Sequence, residues 1–372
     1  MMLLGEGCSH LRLQHLLHSS TDDWMMYGGT AGRTNRRYDS LIPPLKIRWQ
    51  YEVSGGFAGF GGSIADGVLC IADLRGEVSI IDIKTGKSLA TKNFGSAIAG
   101  TPVIEGDLMI IAFAHDQKSI RAYNLISGAM MWSKQSGDIE SSPLLLDARV
   151  YVTTSDGKLI CLDKFKGETI WVFDPPVNRL HKMTRSSPAS DGKIIVFGND
   201  GGDLYAVDAI NGQLKWKSSA RGGIVASPSI SDGKIFVGSL DSTFYAFDAS
   251  TGEPVWMRHL SAKIYSSQAV DDRYLYMGTI DRTFYCLDKT DGSVLWNTQT
   301  GGVATSSPIV TGSVVYLGCL DKKLKAIDAK TGNIIWQYEA DGRIKTSPVV
   351  WKNYLFLFPE NRSVIAFQTE NE

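Results

Sequence analysis

The 372-residue sequence predicts an all-β fold, an eight-bladed β-propeller of four-stranded antiparallel blades whose ring is closed by the N-terminal strand. Three observations indicate this fold. A Ser-Pro pair or a close equivalent recurs about every forty residues, an Asp-x3-Gly-x3-Trp marker recurs in register with it, and the segment around Trp49 matches the segment around Trp336. A period of this length is typical of repeat folds in which each unit buries its faces against its neighbours.

The first marker runs through most of the chain, and its second positions step by 41, 45, 40, 40, 40 and 40 residues. Its members are Thr101-Pro102, Ser142-Pro143, Ser187-Pro188, Ser227-Pro228, Ser267-Gln268, Ser307-Pro308 and Ser347-Pro348. We expect Ser63 to be an earlier member, which brings the number of innermost strands to eight.

The second marker places an acidic residue, a Gly and a Trp at fixed spacing in each period. Its complete copies are Asp163/Gly167/Trp171, Asp208/Gly212/Trp216, Asp248/Gly252/Trp256, Asp288/Gly292/Trp296 and Asp328/Gly332/Trp336. Two copies are degenerate, because Asn124 replaces the Asp in one and Ala90 replaces the Trp in the other.

The period from residue 226 to residue 256 shows how each repeat becomes a blade. A short strand ends at Asp232-Gly233, KIFVG follows, Asp241-Ser242 turns the chain, and TFYAFD alternates before Thr251-Gly252 leads into EPVW. Asp-Gly and Thr-Gly between β-branched and aromatic runs indicate hairpins, since Gly takes positive φ without steric cost. Each period therefore predicts a four-stranded antiparallel meander, and radial stacking of such sheets leaves only short edges.

The last period ends at Ile365-Ala366-Phe367 without the following Gly and Trp. The missing strand lies at the other end of the chain, where LKIRWQYEV around Trp49 resembles NIIWQYEA around Trp336. We therefore expect the N-terminal strand to complete the last blade. The predicted domains are a leader and lead-in over residues 1–45 and the propeller over residues 46–369.

Composition excludes several classes of function. With 38 Lys+Arg against 39 Asp+Glu, the chain lacks the basic excess expected of a nucleic-acid-binding protein. The five cysteines form no C-x-x-C pair, and four of them fall at positions expected for small buried side chains: Cys70, Cys161, Cys286 and Cys319. The six histidines show no metal-binding or triad spacing, so neither a metal nor a cofactor is expected.

The repeat with Ala246-Phe247-Asp248, Gly252 and Trp256 resembles the tryptophan-docking repeat of the quinoprotein-like (PQQ-like) propellers, over about residues 46–369. The lead-in over residues 22–35 also resembles the segment that precedes the first blade in this superfamily. The resemblance implies one of two functions. One is a compact BamB-like lipoprotein, a non-catalytic scaffold in the assembly of outer-membrane β-barrel proteins. The other is a PQQ-dependent dehydrogenase, whose usual vicinal disulfide has no counterpart here because no two cysteines are adjacent.

The longest period carries extra residues after Pro175-Pro176, which exclude a continuing regular strand. The resulting loop combines apolar and cationic side chains: Arg179, Leu180, His181, Lys182 and Met183. Family resemblance implies that this loop binds a partner, although Lys182 and Met183 replace the Leu-Arg of the family pattern. A tolerated insertion is the alternative.

The residue two positions before each Ser or Thr of the first marker should point toward the propeller axis in every blade, since strand side chains alternate. These residues are Ala99, Glu140, Arg185, Val225, Tyr265, Thr305 and Lys345. We single out Glu140, Arg185, Tyr265 and Lys345 as the polar lining of an axial channel. A structural water-filled channel and a site for a small anion at Arg185 and Lys345 both remain open.

Cys8 follows the short apolar run Met1–Leu4 and is a candidate lipidation site if the true start lies upstream, whereas an ordinary N-terminus is the alternative. The leading hypothesis is a monomeric scaffold on the periplasmic side of the outer membrane. Its expected partner is a protein, such as a component of the barrel-assembly machinery, and its only expected membrane contact is the lipid anchor. A ligand-sensing propeller is a further alternative.

Overall fold

The computed structural model describes residues 11–18, 20–176 and 183–369. In this part of the chain the strands form eight antiparallel sheets of four, one of which carries a fifth, parallel strand. Blade 1 contains β3 to β6, at Ser63–Ala65, Val68–Ala72, Glu77–Asp82 and Ser88–Asn93, and blade 2 contains β7 to β10, at Val103–Glu105, Leu108–Ala112, Ile120–Asn124 and Met130–Lys134. Blade 3 contains β11 to β14, at Leu144–Leu146, Arg149–Thr153, Leu159–Asp163 and Thr169–Phe173. Blade 4 contains β15 to β18, at Ala189–Ser190, Ile194–Gly198, Asp203–Asp208 and Leu214–Ser219.

Blade 5 contains β19 to β22, at Ser229–Ser231, Lys234–Gly238, Thr243–Asp248 and Pro254–His259, and blade 6 contains β23 to β26, at Ala269–Val270, Tyr274–Gly278, Thr283–Asp288 and Val294–Gln299. Blade 7 contains β27 to β30, at Ile309–Thr311, Val314–Gly318, Lys323–Asp328 and Ile334–Glu339. Blade 8 contains β31 to β33, at Val349–Trp351, Tyr354–Leu357 and Ser363–Thr369. The two earlier strands are β1, Arg36–Arg37, and β2, Leu45–Glu52. Strand β1 pairs in parallel with β27 of blade 7.

Blade 8 closes the ring as the sequence predicts. Its strand order is β2-β33-β32-β31, so the N-terminal strand β2 is its outermost strand. Trp49 lies opposite Ala366, and the paired residues run from Leu45 with Thr369 to Glu52 with Ser363. The prediction of eight blades latched by the segment around Trp49 is confirmed.

At six of the eight joints between blades, the Trp of one blade packs on the marker Gly of the next. The Trp216 indole of blade 4 lies flat against Gly252 of blade 5, where a Cβ would stand only 2.5 Å from the ring. Trp216 Nε1 also donates to Ala249 O at 3.0 Å. The same contact closes the ring, because Trp49 packs on Gly86 and donates to Ile83 O of blade 1 at 2.7 Å.

A small residue lies opposite each docking Trp on the neighbouring strand. It is Ala or Cys in seven blades: Ala122, Cys161, Ala206, Ala246, Cys286, Ala326 and Ala366. In blade 1 the small residue is at the Trp position instead, since Ala90 replaces the Trp and the residue opposite it is Ile80. Chain residues 11–13 pack there instead, with Leu11 O beside Gly128 and Leu13 N donating to Leu125 O at 2.6 Å.

The blades present two faces. We call the end with the connections between successive blades the loop face, and the end with the turns between first and second and between third and fourth strands the base face. Residues 20–41, the base segment, cross the base face. Backbone hydrogen bonds join it to the innermost strands of blades 1, 2, 4, 5, 6 and 7 through Trp24, Met25, Ala31, Gly32, Thr34 and Asn35.

Apolar side chains between neighbouring blades form the core, and the largest buried cluster joins blades 7, 8 and 1. No helix with the length and apolar character needed to cross a bilayer occurs in the described part of the chain. The core therefore continues through the joint at which the two ends of the chain meet.

Candidate functional site

A ring of hydroxyl groups surrounds the propeller axis at the start of the innermost strands. Each backbone N–H donates to the Oγ of the equivalent Ser in the next blade at 2.9–3.1 Å, in the series Thr101, Ser142, Ser187, Ser227, Ser267 and Ser307. These bonds explain the first sequence marker, because the hydroxyl is the acceptor that joins neighbouring blades.

Ser63 is not the blade 1 member of this ring, so that expectation was wrong. Strand β3 begins at Ser63 as β7 begins at Val103, and the position equivalent to Thr101 is therefore Gly61. Gly61 O accepts from Thr101 Oγ1 at 2.7 Å, and Gly59 O accepts from Ser347 N at 3.2 Å. Backbone carbonyls replace the hydroxyl in this blade, so a search for Ser could not find the position.

The base segment closes the axis below the hydroxyl ring. The Tyr27 hydroxyl lies 2.9 Å from Ser307 Oγ, and the Tyr27 ring packs edge-on against Phe60 with 4.7 Å between centroids. Tyr27 is buried, and Arg33 beside it is only 1% exposed. Side chains of this protein therefore fill the base end of the axis.

Arg33 is a buried cation whose hydrogen bonds go to backbone carbonyls. Its guanidinium donates to Pro188 O at 2.5 Å, Tyr27 O at 2.6 Å, Ser142 O at 3.0 Å and Pro143 O at 3.2 Å. Removal from water lowers the pKa of Arg33 from its ordinary value to about 9, with an opposing effect from Tyr27. The group therefore keeps its charge at neutral pH and ties blades 3 and 4 to the base segment.

The candidate channel residues lie two positions before their ring residues, toward the loop face. Arg185 Nη2 pairs with Asp200 Oδ2 at 2.6 Å, and Lys345 Nζ pairs with Glu360 Oε1 at 2.9 Å. Tyr265 is 43% exposed, and Glu140 is half-buried. Both cations proposed for an anion site are thus already paired with carboxylates of their own blades, and the channel assignment stays a prediction.

Glu360 accepts from two cations, Lys345 and Arg343, whose Nε lies 2.6 Å from Glu360 Oε2. Partial burial acts to raise the pKa of Glu360, but the two hydrogen bonds outweigh it and hold the pKa below its ordinary value. The carboxylate is therefore charged at neutral pH and offsets one of the two positive charges on this side of the mouth.

Four of the five residues of the predicted partner loop, Arg179, Leu180, His181 and Lys182, lie outside the described residues, as does Cys8. Met183 is 48% exposed on the loop face, and its carbonyl accepts from Asp200 N at 2.8 Å. On the other side of the loop Pro175 is buried and Pro176 is exposed. Both ends of the loop are therefore anchored to the propeller at the loop face.

Within the described ranges, His, Cys, Asp and Glu side chains form no group of three or more suited to a metal ion. The turn at residues 199–203 has the composition of a calcium loop, but Asp203 pairs with Lys217 at 2.9 Å and accepts from Tyr205. Burial raises the pKa of Cys161 and Cys319 to about 11, and that of Cys70 to about 12, so these thiols are un-ionised at neutral pH.

A cleft of about 210 Å³ lies between blades 6 and 7 on the base face. Arg36 bridges one wall by donating to both oxygens of Asp272 at 2.5 and 2.6 Å, and its guanidinium lies 4.2 Å from the Tyr38 ring centroid. The charges at this cleft are therefore largely satisfied by one another.

The axial residues do not fit a quinone cofactor with a hard cation. Among the eight equivalent positions, Gly59, Ala99, Glu140, Arg185, Val225, Tyr265, Thr305 and Lys345, only Glu140 carries a carboxylate, whereas a hard cation requires several oxygen ligands. Tyr27 and Arg33 fill the axis below them. No reaction step through such a cofactor follows from these residues.

The family model described as "Outer membrane protein assembly factor BamB" matches residues 45–138, 113–223 and 216–372. The chain belongs to this family. Among curated relatives, BamB of Yersinia pestis is 23% identical over 197 residues, which cover 49% of this chain and 49% of that protein. The quinohemoprotein alcohol dehydrogenase ADH IIB of Pseudomonas putida is 25% identical over 136 residues, which cover 33% of this chain and 20% of the enzyme.

The match to the Yersinia pestis BamB thus spans about half the length of that protein. Among solved structures, BamB from Moraxella catarrhalis superposes with a TM-score of 0.74 at 19% identity, covering 87% of this chain and 100% of that one. The quinohemoprotein alcohol dehydrogenase ADHIIG from Pseudomonas putida gives 0.79 at 12% identity, covering 95% and 81%. At these identities the superpositions show a shared fold, and BamB-family membership comes from the family match.

Sequence reasoning did not find the role of the base segment. The lead-in over residues 22–35 was recognised by resemblance, but nothing in its composition indicated that Arg33 is buried under the axis. Gly28 and Gly29 at positive φ and the polar run Arg33-Thr34-Asn35 were the available signal. A polar run that follows glycines is also typical of an exposed loop, so the signal was ambiguous.

Proposed function

We propose that this BamB-family propeller is a non-catalytic scaffold of the bacterial envelope that holds partner proteins on its loop face during assembly of outer-membrane β-barrel proteins. The match of the BamB family model across residues 45–372 carries the proposal. The axis supports it, because the base end is filled by Tyr27 and Arg33 and the cations at the mouth are paired.

The predicted partner loop is the proposed contact. Met183 is an exposed apolar side chain beside the charged pair Arg185–Asp200, and apolar anchors among cations are common in protein interfaces. The loop belongs to the longest period of the sequence, and both of its ends are anchored to blades 3 and 4. A partner component with a complementary acidic and apolar surface fits this chemistry.

The test combines Arg179→Glu, Leu180→Asp and Lys182→Glu and measures co-purification of barrel-assembly components from the envelope. The expected result is loss of the partner with an unchanged melting temperature. The matched control, Arg221→Glu with Lys263→Glu, reverses two exposed charges on the loop face in other connections and should keep the partner. Full co-purification by the loop variant would show that the loop is not the contact.

The dehydrogenase relatives define the competing function. Calorimetric titration of the protein with pyrroloquinoline quinone and Ca²⁺, followed by a dye-linked alcohol oxidation assay, separates the two. We expect neither saturable binding nor oxidation, and tight binding with turnover would overturn the proposal that the propeller is non-catalytic.

A further inference from the structure

The turns between third and fourth strands on the base face share one geometry in seven blades. The residue two positions after the Asp or Asn that starts each turn stands at the tip. These tip residues are Lys84, Ile126, Phe165, Ile210, Ser250, Thr290 and Lys330. They are apolar in the consecutive blades 2, 3 and 4 and polar in the others, and we call Ile126, Phe165 and Ile210 the turn-tip patch.

Two members of the turn-tip patch are exposed, whereas Ile126 is half-buried and packs against the core between blades 1 and 2. Phe165 is 57% exposed and Ile210 is 69% exposed. Phe165 N donates to Asp163 Oδ1 at 2.9 Å, and Ile210 N donates to Asp208 Oδ1 at 2.9 Å. These bonds fix the backbone of the two turns, and exposed apolar residues gathered in one sector mark a contact surface.

Cations flank the apolar tips. Lys166 is exposed next to Phe165, whereas Lys164 on the other side of Phe165 is buried and pairs with Glu105 of blade 2. Arg12 Nε donates to Ile126 O at 3.0 Å, and Arg149 Nη1 donates to Ile210 O at 2.6 Å. Exposed apolar tips with cations nearby suit a bilayer interface, where apolar groups insert shallowly and cations meet headgroup phosphates.

The N-terminal segment leaves the propeller in the same sector. Leu11 and Leu13 are buried between blades 1 and 2, beside the turn of blade 2 that carries Ile126. Cys8 precedes Leu11 by three residues, and three residues of fully extended chain span only about 10 Å. A lipid attached to Cys8 would therefore hold the base face at blade 2, next to the exposed tips of blades 3 and 4, close to the membrane surface.

We propose that the turn-tip patch is a membrane-contact surface, at which Phe165 and Ile210 insert into the bilayer interface and orient the loop face away from the membrane. This inference rests on the proposed envelope function with lipidation of Cys8. It adds an orientation for the scaffold, because the partner loop and the membrane contact then lie on opposite faces.

The experiment couples the full chain through Cys8 to a maleimide phospholipid in vesicles of phosphatidylethanolamine and phosphatidylglycerol. The four buried thiols remain unmodified under native conditions. Photoreactive p-benzoylphenylalanine replaces Phe165 or Ile210, and in matched controls it replaces Ser250 or Thr290 at the same turn position. Lipid adducts detected by mass spectrometry are expected at residues 165 and 210 and not at 250 or 290.

Equal adducts at all four positions, or none at 165 and 210, would overturn the proposal. A second result would also overturn the proposal: no lipid adducts form at residues 165 and 210, and the triple variant Ile126→Ser, Phe165→Ser, Ile210→Ser loses a co-purified protein partner. The patch would then be a protein contact. The same triple substitution should weaken partition of the uncoupled protein into these vesicles by about tenfold or more, because apolar insertion is lost.

Mass spectrometry of the envelope-derived protein tests acylation of Cys8 separately. An unacylated Cys8 would remove the tether and with it the proposed orientation. The vesicle assay contains no protein partner, so its failure is distinguishable from failure of the loop variant in the co-purification assay.

Discussion

Arg33 shows how one residue can join parts of the chain that are distant in sequence. Its four carbonyl acceptors belong to the base segment and to blades 3 and 4. A buried charge without such acceptors would be costly, whereas carbonyl dipoles directed at the guanidinium offset its loss of water. The same contacts satisfy carbonyls that the short innermost strands leave unpaired.

Replacing Arg33 with Met should therefore lower the free energy of unfolding by about 3 kcal/mol, because several buried carbonyls lose their donor. The measurement is urea unfolding followed by circular dichroism. Arg36→Met is the matched control. Its partner Asp272 is exposed, and removal of this surface pair should cost less than about 1 kcal/mol. Equal effects of the two substitutions would contradict the role assigned to Arg33.

Cys161 and Cys286 occupy the small position opposite a docking Trp, which is Ala in five other blades. Burial raises the pKa of Cys161 from 9.0 to about 11 and also raises the pKa of Cys286. The unfolded chain therefore loses its thiol protons at lower pH than the native protein, and native stability falls as pH rises above about 9.

The double variant Cys161→Ala, Cys286→Ala should change the free energy of unfolding at pH 7 by less than about 1.5 kcal/mol, since the volume change is small. Its alkaline loss of stability should be shallower than that of the unmodified protein. Thermal unfolding at pH values between 7 and 11 measures both effects. An unchanged alkaline slope would show that these thiols do not contribute to it.

At the level of elements, the Gly of the repeat marker has two tasks. It adopts positive φ in the turn, as Gly252 does at 75°, and it leaves room for the Trp of the preceding blade. Gly233 has a similar φ of 70° but has nothing within 4 Å of its Cβ position. Substitutions at Gly233 and Gly252 therefore separate the cost of the backbone conformation from the cost of displacing the docked Trp.

Gly233→Ala should destabilise the protein by about 1 kcal/mol, the cost of a left-handed conformation for a residue with a Cβ. Gly252→Ala should cost about 2 kcal/mol more, because the new methyl group would displace the Trp216 ring. Differential scanning calorimetry of the two variants tests this. Equal melting temperatures would mean that the Trp216 contact with Gly252 contributes little.

Blade 1 provides a second test at this scale, because residues 11–13 pack where the Trp is missing at Ala90. Deletion of residues 1–19 should lower the melting temperature by exposing Leu125 and neighbouring apolar groups. Adding Ile80→Ala and Ala90→Trp to the deletion should restore part of the loss by recreating the arrangement of the other blades. In the full chain Ile80→Ala with Ala90→Trp should destabilise the protein, since residues 11–13 already fill the position of the missing Trp. A stabilised full-length variant would contradict this role of residues 11–13.

Across the whole molecule, the periodic markers were sufficient to predict the blade count, the strand order and the closing strand, because each marker makes the same contact in successive blades. The register of blade 1 was misassigned because Gly61 replaces the hydroxyl by a backbone carbonyl. The base segment could not be predicted, since its hydrogen bonds join it to residues as many as 280 positions away and leave no local pattern.

Ring closure depends on β2 and the base segment together. A chain that begins at Val53 should lose the outer strand of blade 8 and the contacts across the base face, so we expect oligomers or aggregates through the exposed edge of β33. Light scattering coupled to gel filtration measures the state, and addition of a peptide of residues 11–52 should recover monomer. A monomeric, fully folded truncated chain would contradict the latch.

The pairing of β2 with β33 has a consequence for biosynthesis. The strand that completes blade 8 is made before every other blade strand, and its neighbour, Ser363–Thr369, is made after all of them. The nascent protein must therefore keep Leu45–Glu52 without its native neighbour until the other blades have been made. A product that terminates before Ser363 carries an open strand that proteases can recognise.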